Sequence, residues 1–491
     1  MNEHYLKIDF EPGRTLQDQI RERLVATILS GHMPVDEPMP SSRRLAQQLG
    51  VSRNTVVLIY EQLVDAGYLV PKCRRGYFIA PAFHQAEELC TELVPDDSSD
   101  APDWSTRFRH RPSEEQAIVK PNNWRAFEFP FIYGQVQHEF FPIEQWRDCA
   151  RKSMSGMSDR DWIHDSVDSD DAVLVEQIRT RLLPKRGIYA EANEILVTIG
   201  TQNSLYLLAN LLLGRKTRVA LENPGFRDAR NIFKTFGAQL HLQPVDEEGI
   251  LVDDRLNSCD YIYVTPSHQV PTGAELSTAR RRALMQLASE QDCILIEDDY
   301  DADINMQLKP VPALKAHDRD KRVIYMGSLS KSISPGLRLG FMVADETLIA
   351  EARALRRLMY RHPPANNQRQ AALFLAQGHY DTYLRKIREL YSSKLERMQS
   401  AIERHLPGMN TVPVSSGASS IWLEAPEGVD TEALSWAAAR EGVLIEPGAV
   451  HFLNAEPPRN YFRLGFSAIA AHKIEPGIER LSRSLDRFLS A

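Results

Sequence analysis

Long apolar runs are missing from this 491-residue chain, and none reaches the roughly 18 residues that a membrane-crossing helix needs. The opening residues, MNEHYLKIDFEPGR, lack the apolar stretch of a secretory signal, so the chain is expected to work in the cytoplasm. Cysteine is scarce. Cys73, Cys90, Cys149, Cys259 and Cys293 are scattered and odd in number, which points to free thiols in a reducing compartment rather than a disulfide framework. No CxxC pair and no His/Cys cluster with zinc spacing occurs, so no metal site is expected. No repeat at a solenoid period is visible. A surplus of positive charge is absent too: 58 Lys and Arg face 66 Asp and Glu, a net −8, which argues against a chain that coats nucleic acid along its whole length. With 43% hydrophobic and 25% charged residues the composition is globular, and the length calls for two or more cores.

The average charge conceals a local exception. Residues 38–80 carry six basic side chains (Arg43, Arg44, Arg53, Lys72, Arg74, Arg75) against two acids, Glu61 and Asp65. Residues 83–104 then hold seven acids and no Lys or Arg, ending in PDDSSDAPDW. That switch, with Pro and Ser around it, reads as a domain edge and a solvated linker. Beyond residue 125 or so, strand-like runs (EILVTIG, RVALENPG, YIYVTPS, CILIEDD, RVIYMGS) alternate with helical patterns, the signature of an α/β domain with a mostly parallel sheet. The expected plan is a small module over 1–82, an acidic flexible linker over 83–125 and an α/β body over 126–491.

In the small module, Leu16, Ile20, Leu24 and Ile28 make one stripe of an amphipathic helix. Ser41 or Ser42 can cap a second, short helix with Leu45, Ala46 and Leu49 apolar, and Gly50 supplies a left-handed stop. Ser52 caps a third helix with Val56, Tyr60 and Leu63 inward. Two short helices about a Gly-containing turn make a helix-turn-helix, and YLVPKCRRGYFIA reads as two strands with a basic tip, a wing. Ser52, Arg53, Asn54 and Thr55 open the helix that would enter a major groove. PSSRRLAQQLGVSRNTV followed by a wing resembles the GntR family of winged-helix repressors. The resemblance implies binding to double-stranded operator DNA, with Arg43, Ser52 and Arg53 on phosphates and base edges and Gly76 near the minor groove. The wing departs from the usual GxG, reading Arg75-Gly76-Tyr77 with a second arginine at 74.

In the body, YMGSLSKSISPGLRLGFMV (325–343) runs an apolar strand into Lys331, with Arg338 seven positions on. A Schiff-base lysine needs a place near a strand end, beside groups that hold a phosphate. Ser328 and Ser330 offer hydroxyls, and Arg338 is a fork that can grip two oxygens. Taken alone, SxSK is more often only a turn. CILIEDDYDADI sets Asp298 and Tyr300 at a strand end, where a solvated acidic loop is the plain alternative. In LVTIGTQNSLYLLANLLL a strand ends at Gly200-Thr201-Gln202 and a helix follows, whose first amides make a phosphate seat. ENPGFRDAR puts Phe226 where a ring can stack on a planar ligand.

Together these segments, with TPSHQVPTG and NYFRLGFS in the same order, resemble fold-type-I aminotransferases, and more closely the MocR (GabR-like) subfamily of GntR regulators. The resemblance implies a winged helix joined to an aminotransferase-like domain that holds pyridoxal 5'-phosphate. Lys331 would form the internal aldimine, and Asp298 would pair with the pyridinium. Tyr300 would bond the phenolic oxygen, and Ser328, Arg338, Thr201 and Gln202 would hold the phosphate. Arg463 in NYFRLGFS matches the arginine that takes a ligand carboxylate, with Arg230 the first substitute for that role. His268 and Gln269 stand where aminotransferases commonly present an Asn, and Phe226 replaces the more usual Tyr.

The favoured reading is a DNA-binding regulator that senses a small amino compound by external aldimine formation, with at most residual transamination. The alternative is a working aminotransferase carrying a DNA-binding appendage. The fused winged helix favours the regulator, since a metabolic transaminase gains nothing from two DNA-reading modules. The resemblance also implies a homodimer, head-to-tail, with GABA, taurine and ectoine-derived diamino acids among the subfamily's effectors.

Overall fold

The computed structural model describes residues 8, 10–31, 33, 36–83, 102–118, 120–134, 138–155, 169–304, 311–412 and 419–489. No helix among them is long and apolar enough to cross a membrane. The chain divides into two compact units, residues 1–108 and 109–491. Cys90 and most of the acidic run lie outside the described residues.

The first unit is built as its caps and stripes require. Helix α1 (Leu16–Leu29) starts at Thr15, whose hydroxyl accepts from the Asp18 amide. Its stripe is buried at Ile20, Leu24 and Ile28, but Leu16 is 47% exposed, so the apolar contact begins one turn later than the spacing implies. Helix α2 (Ser42–Leu49) is capped by Ser41 and ends at Gly50, which is left-handed (φ +67°) as only a residue without a Cβ adopts cheaply. Ser52 caps α3 (Arg53–Asp65), accepting from the Thr55 amide at 3.1 Å. Strands β1 (Leu69–Lys72) and β2 (Gly76–Ile79) pair antiparallel from Leu69↔Ile79 to Lys72↔Gly76, which is the wing. Ile20, Leu24, Leu45, Val56, Ile59, Leu63, Leu69 and Ile79 share one core. The buried Tyr60 hydroxyl donates to the Pro40 carbonyl at 2.8 Å, tying α3 to the approach to α2.

In the second unit a short strand, β3 (Phe129–Pro130), precedes an eight-stranded sheet. The sheet's members are β4 (Ile195–Thr198), β5 (Arg218–Asn223), β6 (Gln239–Asp246), β7 (Gly249–Ile250), β8 (Tyr261–Val264), β9 (Ile294–Asp299), β10 (Val323–Ser328) and β11 (Gly340–Val343). Their order is β4-β11-β10-β9-β8-β5-β6-β7. Pairs β10/β9, β9/β8, β8/β5 and β5/β6 are parallel, while β11 runs against both β10 and β4. The five runs that read as strands are therefore β4, β5, β8, β9 and β10, all pointing the same way. Their last residues, Thr198, Asn223, Val264, Asp299 and Ser328, end on one edge, where ligands of open α/β sheets bind. A smaller sheet follows, with β12 (Asn410–Thr411), β13 (Ser420–Glu424), β15 (Glu446–Pro447) and β16 (Tyr461–Gly465) in the order β12-β13-β16-β15, and β14 (Val443–Leu444) pairs with β3. Its register sets Glu446 and Trp422 on either side of Arg463.

The segment expected as linker is not all spacer. Residues 109–125 belong to the second unit. Glu115 pairs with Lys234 at 2.5 Å, and the Gln116 carbonyl accepts from Asn231 at 2.8 Å, both on the helix Arg227–Thr235. Charge pairing and amide contacts bind a stretch whose composition alone looks solvated.

Asp170 holds a buried knot. It accepts from Arg353 (2.7 Å), Arg356 (2.5 Å) and the Val197 amide (3.2 Å), and Arg356 is wholly buried. Asp170→Ala leaves that guanidinium without its counter-charge inside the protein, so a loss of roughly 3–5 kcal/mol is expected. Urea unfolding of the full chain checks it; an unshifted midpoint for the large unit would show that the pair carries little.

Candidate functional site

Two sites need separate accounts. On the first unit, Arg43, Ser52, Arg53 and Asn54 are exposed, and Thr55 is partly so. The hydroxyls of Ser52 and Thr55 lie 2.8 Å apart, so both serve the α3 cap before any contact with DNA. Arg53 donates from Nε to the Ser42 hydroxyl at 3.3 Å, which steadies an otherwise exposed side chain. At the wing, Gly76 is left-handed (φ +98°), as is Arg74 (φ +59°). Lys72 lies over the Phe78 ring at 4.3 Å and Arg75 at 5.6 Å, so two cations of the basic tip gather about one aromatic ring. This surface presents cations and short hydroxyls at a helix N-terminus, the equipment for phosphate and base-edge contacts.

On the second unit, Thr201, Phe226, Asp298, Tyr300, Lys331 and Arg463 line one cavity of about 300 Å³. These come from five separate sequence segments, brought together at the strand-end edge. Lys331 follows β10, and its amine lies 4.4 Å from the Tyr133 ring and 5.9 Å from that of Tyr300. Burial, and then the charge of Lys120, push it down to about 8, while Asp301 pulls the other way. Asp298 is paired in register with Met326 on β10. Burial pushes its carboxyl up to about 7, against the hydrogen bond it accepts from Tyr263 at 2.7 Å. Its other oxygen is buried with no partner among the described residues.

The phosphate-side residues lie just behind this wall. Gly200 is left-handed (φ +103°), and a Cβ there would stand 3.1 Å from the Arg338 guanidinium, so a side chain would push the arginine off the start of the helix Thr201–Leu212. Arg338 donates to the Ile199 carbonyl at 3.1 Å. Ser330 is less free than its motif implies: its hydroxyl donates to the Leu339 carbonyl (3.1 Å) and accepts from the Leu339 amide (3.0 Å). Donating to an anion would cost it that bond. Ser328 is buried at the end of β10, and Gln202 donates to Asp228 at 3.2 Å. The Tyr300 hydroxyl donates to the His268 carbonyl at 2.9 Å.

At the far wall, Arg463 is 3% exposed, stacks 4.1 Å from the Tyr133 ring and hydrogen-bonds Glu446. Burial opposes the ionisation of Glu446, but the Arg463 guanidinium and a hydrogen bond with His451 (3.0 Å) bring it down to about 2. Arg230 sits instead beside Glu115 and does not line the cavity. Gln269 turns away as well, donating to Glu222 and the Pro224 carbonyl and accepting from Thr272, so it fastens its loop. His268 is kept neutral by burial, which brings it down to about 4.

Ile118, Lys120 and Tyr133 also line the cavity and lie outside the motifs, while Asp228, Tyr263 and Val270 line it from within ENPGFRDAR, YIYVTPS and TPSHQVPTG without having been singled out. Tyr263 was readable as an inward position of a period-two strand. Lys120 carried no signal, standing in a segment read as linker.

Residues 16–79 match the family described as Bacterial regulatory proteins, gntR family, and residues 134–481 match Aminotransferase class I and II. Over 472 residues, 96% of each chain, the sequence is 39% identical to the HTH-type transcriptional regulator TauR of Rhodobacter capsulatus. It is 29% identical to the probable rhizopine catabolism regulatory protein MocR of Rhizobium meliloti, over 97% of this chain and 95% of that one. The crystal structure of LysN, an alpha-aminoadipate aminotransferase from Thermus thermophilus complexed with N-(5'-phosphopyridoxyl)-L-leucine, aligns at a TM-score of 0.71 and 26% identity, covering 79% of this chain and 100% of that one. A gntR-type domain implies DNA binding, and the aminotransferase fold with such neighbours implies pyridoxal phosphate. The cavity fits that group: an amine lowered toward neutrality, an unpartnered carboxylate oxygen for a protonated ring nitrogen, and a helix start with an arginine for a phosphate.

Two outcomes follow from this geometry. An amine attacks a carbonyl only when unprotonated, so uptake of pyridoxal phosphate by cofactor-stripped protein should accelerate with pH through about 8 and then level off. The growth of visible absorbance after mixing measures this, and a rate still climbing above pH 10 would mark an ordinary lysine. On DNA, Arg53→Ala is expected to cost about 1–3 kcal/mol at the operator and to relax specificity at one base pair, as read by gel-shift titration. An equal loss on every sequence would make Arg53 a phosphate contact only.

Proposed function

The chain belongs to the GntR family of bacterial regulatory proteins, in the MocR-like group that joins a winged helix to an aminotransferase-like domain, and from that premise we propose that it is a pyridoxal-phosphate-dependent transcriptional regulator answering a small amino compound in the cytoplasm. One observation carries the reading: a single cavity presents the Lys331 amine, the unpartnered Asp298 oxygen and the Arg463 guanidinium, in a chain whose other unit exposes a DNA-reading helix. Bound pyridoxal phosphate supplies an aldehyde carbon that amines attack reversibly and a ring that withdraws electrons while protonated.

The residues divide that work. Lys331 would hold the aldehyde carbon, and Asp298 would keep a proton on the ring nitrogen. Tyr300 would face the ring oxygen, and Phe226 the ring itself. Arg338, Ser328, Thr201, Gln202 and the amides after Gly200 would take the phosphate. Arg463 would orient an effector that carries a carboxylate or sulfonate. Lys331 would hold the cofactor until an effector amine took its place, and contacts from Arg463 to that effector would favour one conformation of the large unit; a ligand acts this way only through differential affinity. A homodimer, head-to-tail, would set two winged helices on two operator half-sites.

Lys331→Ala tests the assignment. The variant should lose the visible absorbance of bound cofactor and all effector-dependent transcription, while keeping operator DNA in a gel shift. The wild-type protein separates regulator from enzyme: mixed with an amino donor and an oxo-acid acceptor it should change spectrum without repeated turnover. Sustained turnover at roughly 1–1000 per second would establish a working aminotransferase instead, and a Lys331→Ala protein that still answers its effector would remove the lysine from sensing.

A further inference from the structure

Arg463 alone is poorly placed to attract an acid. Its guanidinium is already hydrogen-bonded to Glu446, both side chains are buried, and the pair is neutral as a unit. His451, the other partner of Glu446, adds no charge because burial lowers it from its ordinary range. An effector carboxylate arriving there would meet Glu446 as a like charge unless a second cation stood in the same field.

Lys120 can be such a cation: burial, and the Arg463 charge, lower its amine from the ordinary range, while the Glu446 carboxylate beside it favours the charged form. It lines the cavity with Arg463 and Lys331, and its charge acts on Glu446. One of its three N–H groups goes to the Tyr133 carbonyl, which leaves two to donate. Both amines approach Gly134, which is left-handed (φ +75°): a Cβ at that position would stand 3.1 Å from the Lys120 amine and 3.0 Å from the Lys331 amine, so any other residue would crowd the two lysines. With Lys120 counted, the acid side of the cavity sums to one net positive charge, and a single anionic group neutralises it.

Its position in the chain matters equally. Lys120 stands just after a stretch clamped to the helix Arg227–Thr235, where Gln116 accepts from Arg227 at 2.5 Å and Glu115 pairs with Lys234 at 2.5 Å. Phe226 of the cavity wall directly precedes that helix. In sequence, the same stretch leads back to the DNA-reading unit.

Resting on the regulator reading above, we propose that Lys120 is a specificity-determining residue, the second cation that grips the effector's acid group, placing one ligand contact on the N-terminal stretch of the large unit. The test uses the full-length, cofactor-loaded protein. Omega-amino carboxylates and omega-amino sulfonates of two to five carbons are titrated calorimetrically, each beside the alkylamine of the same length. Wild-type protein should prefer the acid-bearing member of at least one pair, and in Lys120→Gln that preference ratio should fall about tenfold. Lys120→Arg, which keeps the charge, should restore most of it, an outcome that mere packing would not produce. An unchanged ratio in Lys120→Gln overturns the proposal while leaving the regulator reading intact. Loss of cofactor absorbance in that variant, without a change in ratio, assigns Lys120 to the cofactor and overturns it too. Wild-type protein that binds no amine of either kind overturns the regulator reading, and this proposal with it.

Discussion

The chemistry of this molecule depends on charges held among one another where water is scarce. Lys331, Lys120 and Arg463 share a cavity with Asp298 and, behind it, Glu446 and Asp301. In water such groups would each keep an ordinary proton affinity. Removed from it, their interactions strengthen and burial pushes the Lys331 amine down and the Asp298 carboxyl up, which is why an amine and a carboxyl both come near neutrality within one small space. An amine poised there can exchange partners, and a carboxylate with a free oxygen can hold a ring proton.

Keeping that arrangement rigid falls to the sheet and the pairs beneath it. β9 and β10 lie parallel and adjacent, so the residues at and just past their ends meet at one edge. Asp299, next to the site residue Asp298, is spent on structure: it accepts from Arg186 at 2.7 Å and from the Tyr325 hydroxyl at 2.9 Å, and Arg186 reaches on to Ser267 at 2.7 Å. One strand end therefore presents one acid to the cavity and ties the neighbouring acid to the scaffold, as alternation along a strand requires.

Two units with separate cores follow from the same economy of burial. The winged helix closes its own core around α3, leaving the Arg53 end for a polyanion, while the large unit places its charges inward. Residues 109–125, which follow the acidic run in sequence, belong to the large unit, where Glu115 and Gln116 hold the helix Arg227–Thr235.

Much of this was legible in the sequence. Capping serines, Gly50 and the spacing of Ile20, Leu24 and Ile28 dictated the helix-turn-helix, because those signals act within a turn or two of chain. Five apolar runs declared five of the parallel strands, and Lys331, Asp298, Tyr300, Thr201, Phe226 and Arg463 were marked by the motifs around them. The partners that act across the fold were not. Nothing local announces that Glu446 will pair with Arg463, that Ser330 will spend its hydroxyl on Leu339, that Gln269 will turn to Glu222, or that Lys120 will enter the cavity. Those depend on strand register and on segments far apart in the chain meeting at one edge. A sequence encodes local geometry and which faces are apolar, but the strength of a charge–charge contact depends on distance and on excluded water, and both exist only once the chain has packed.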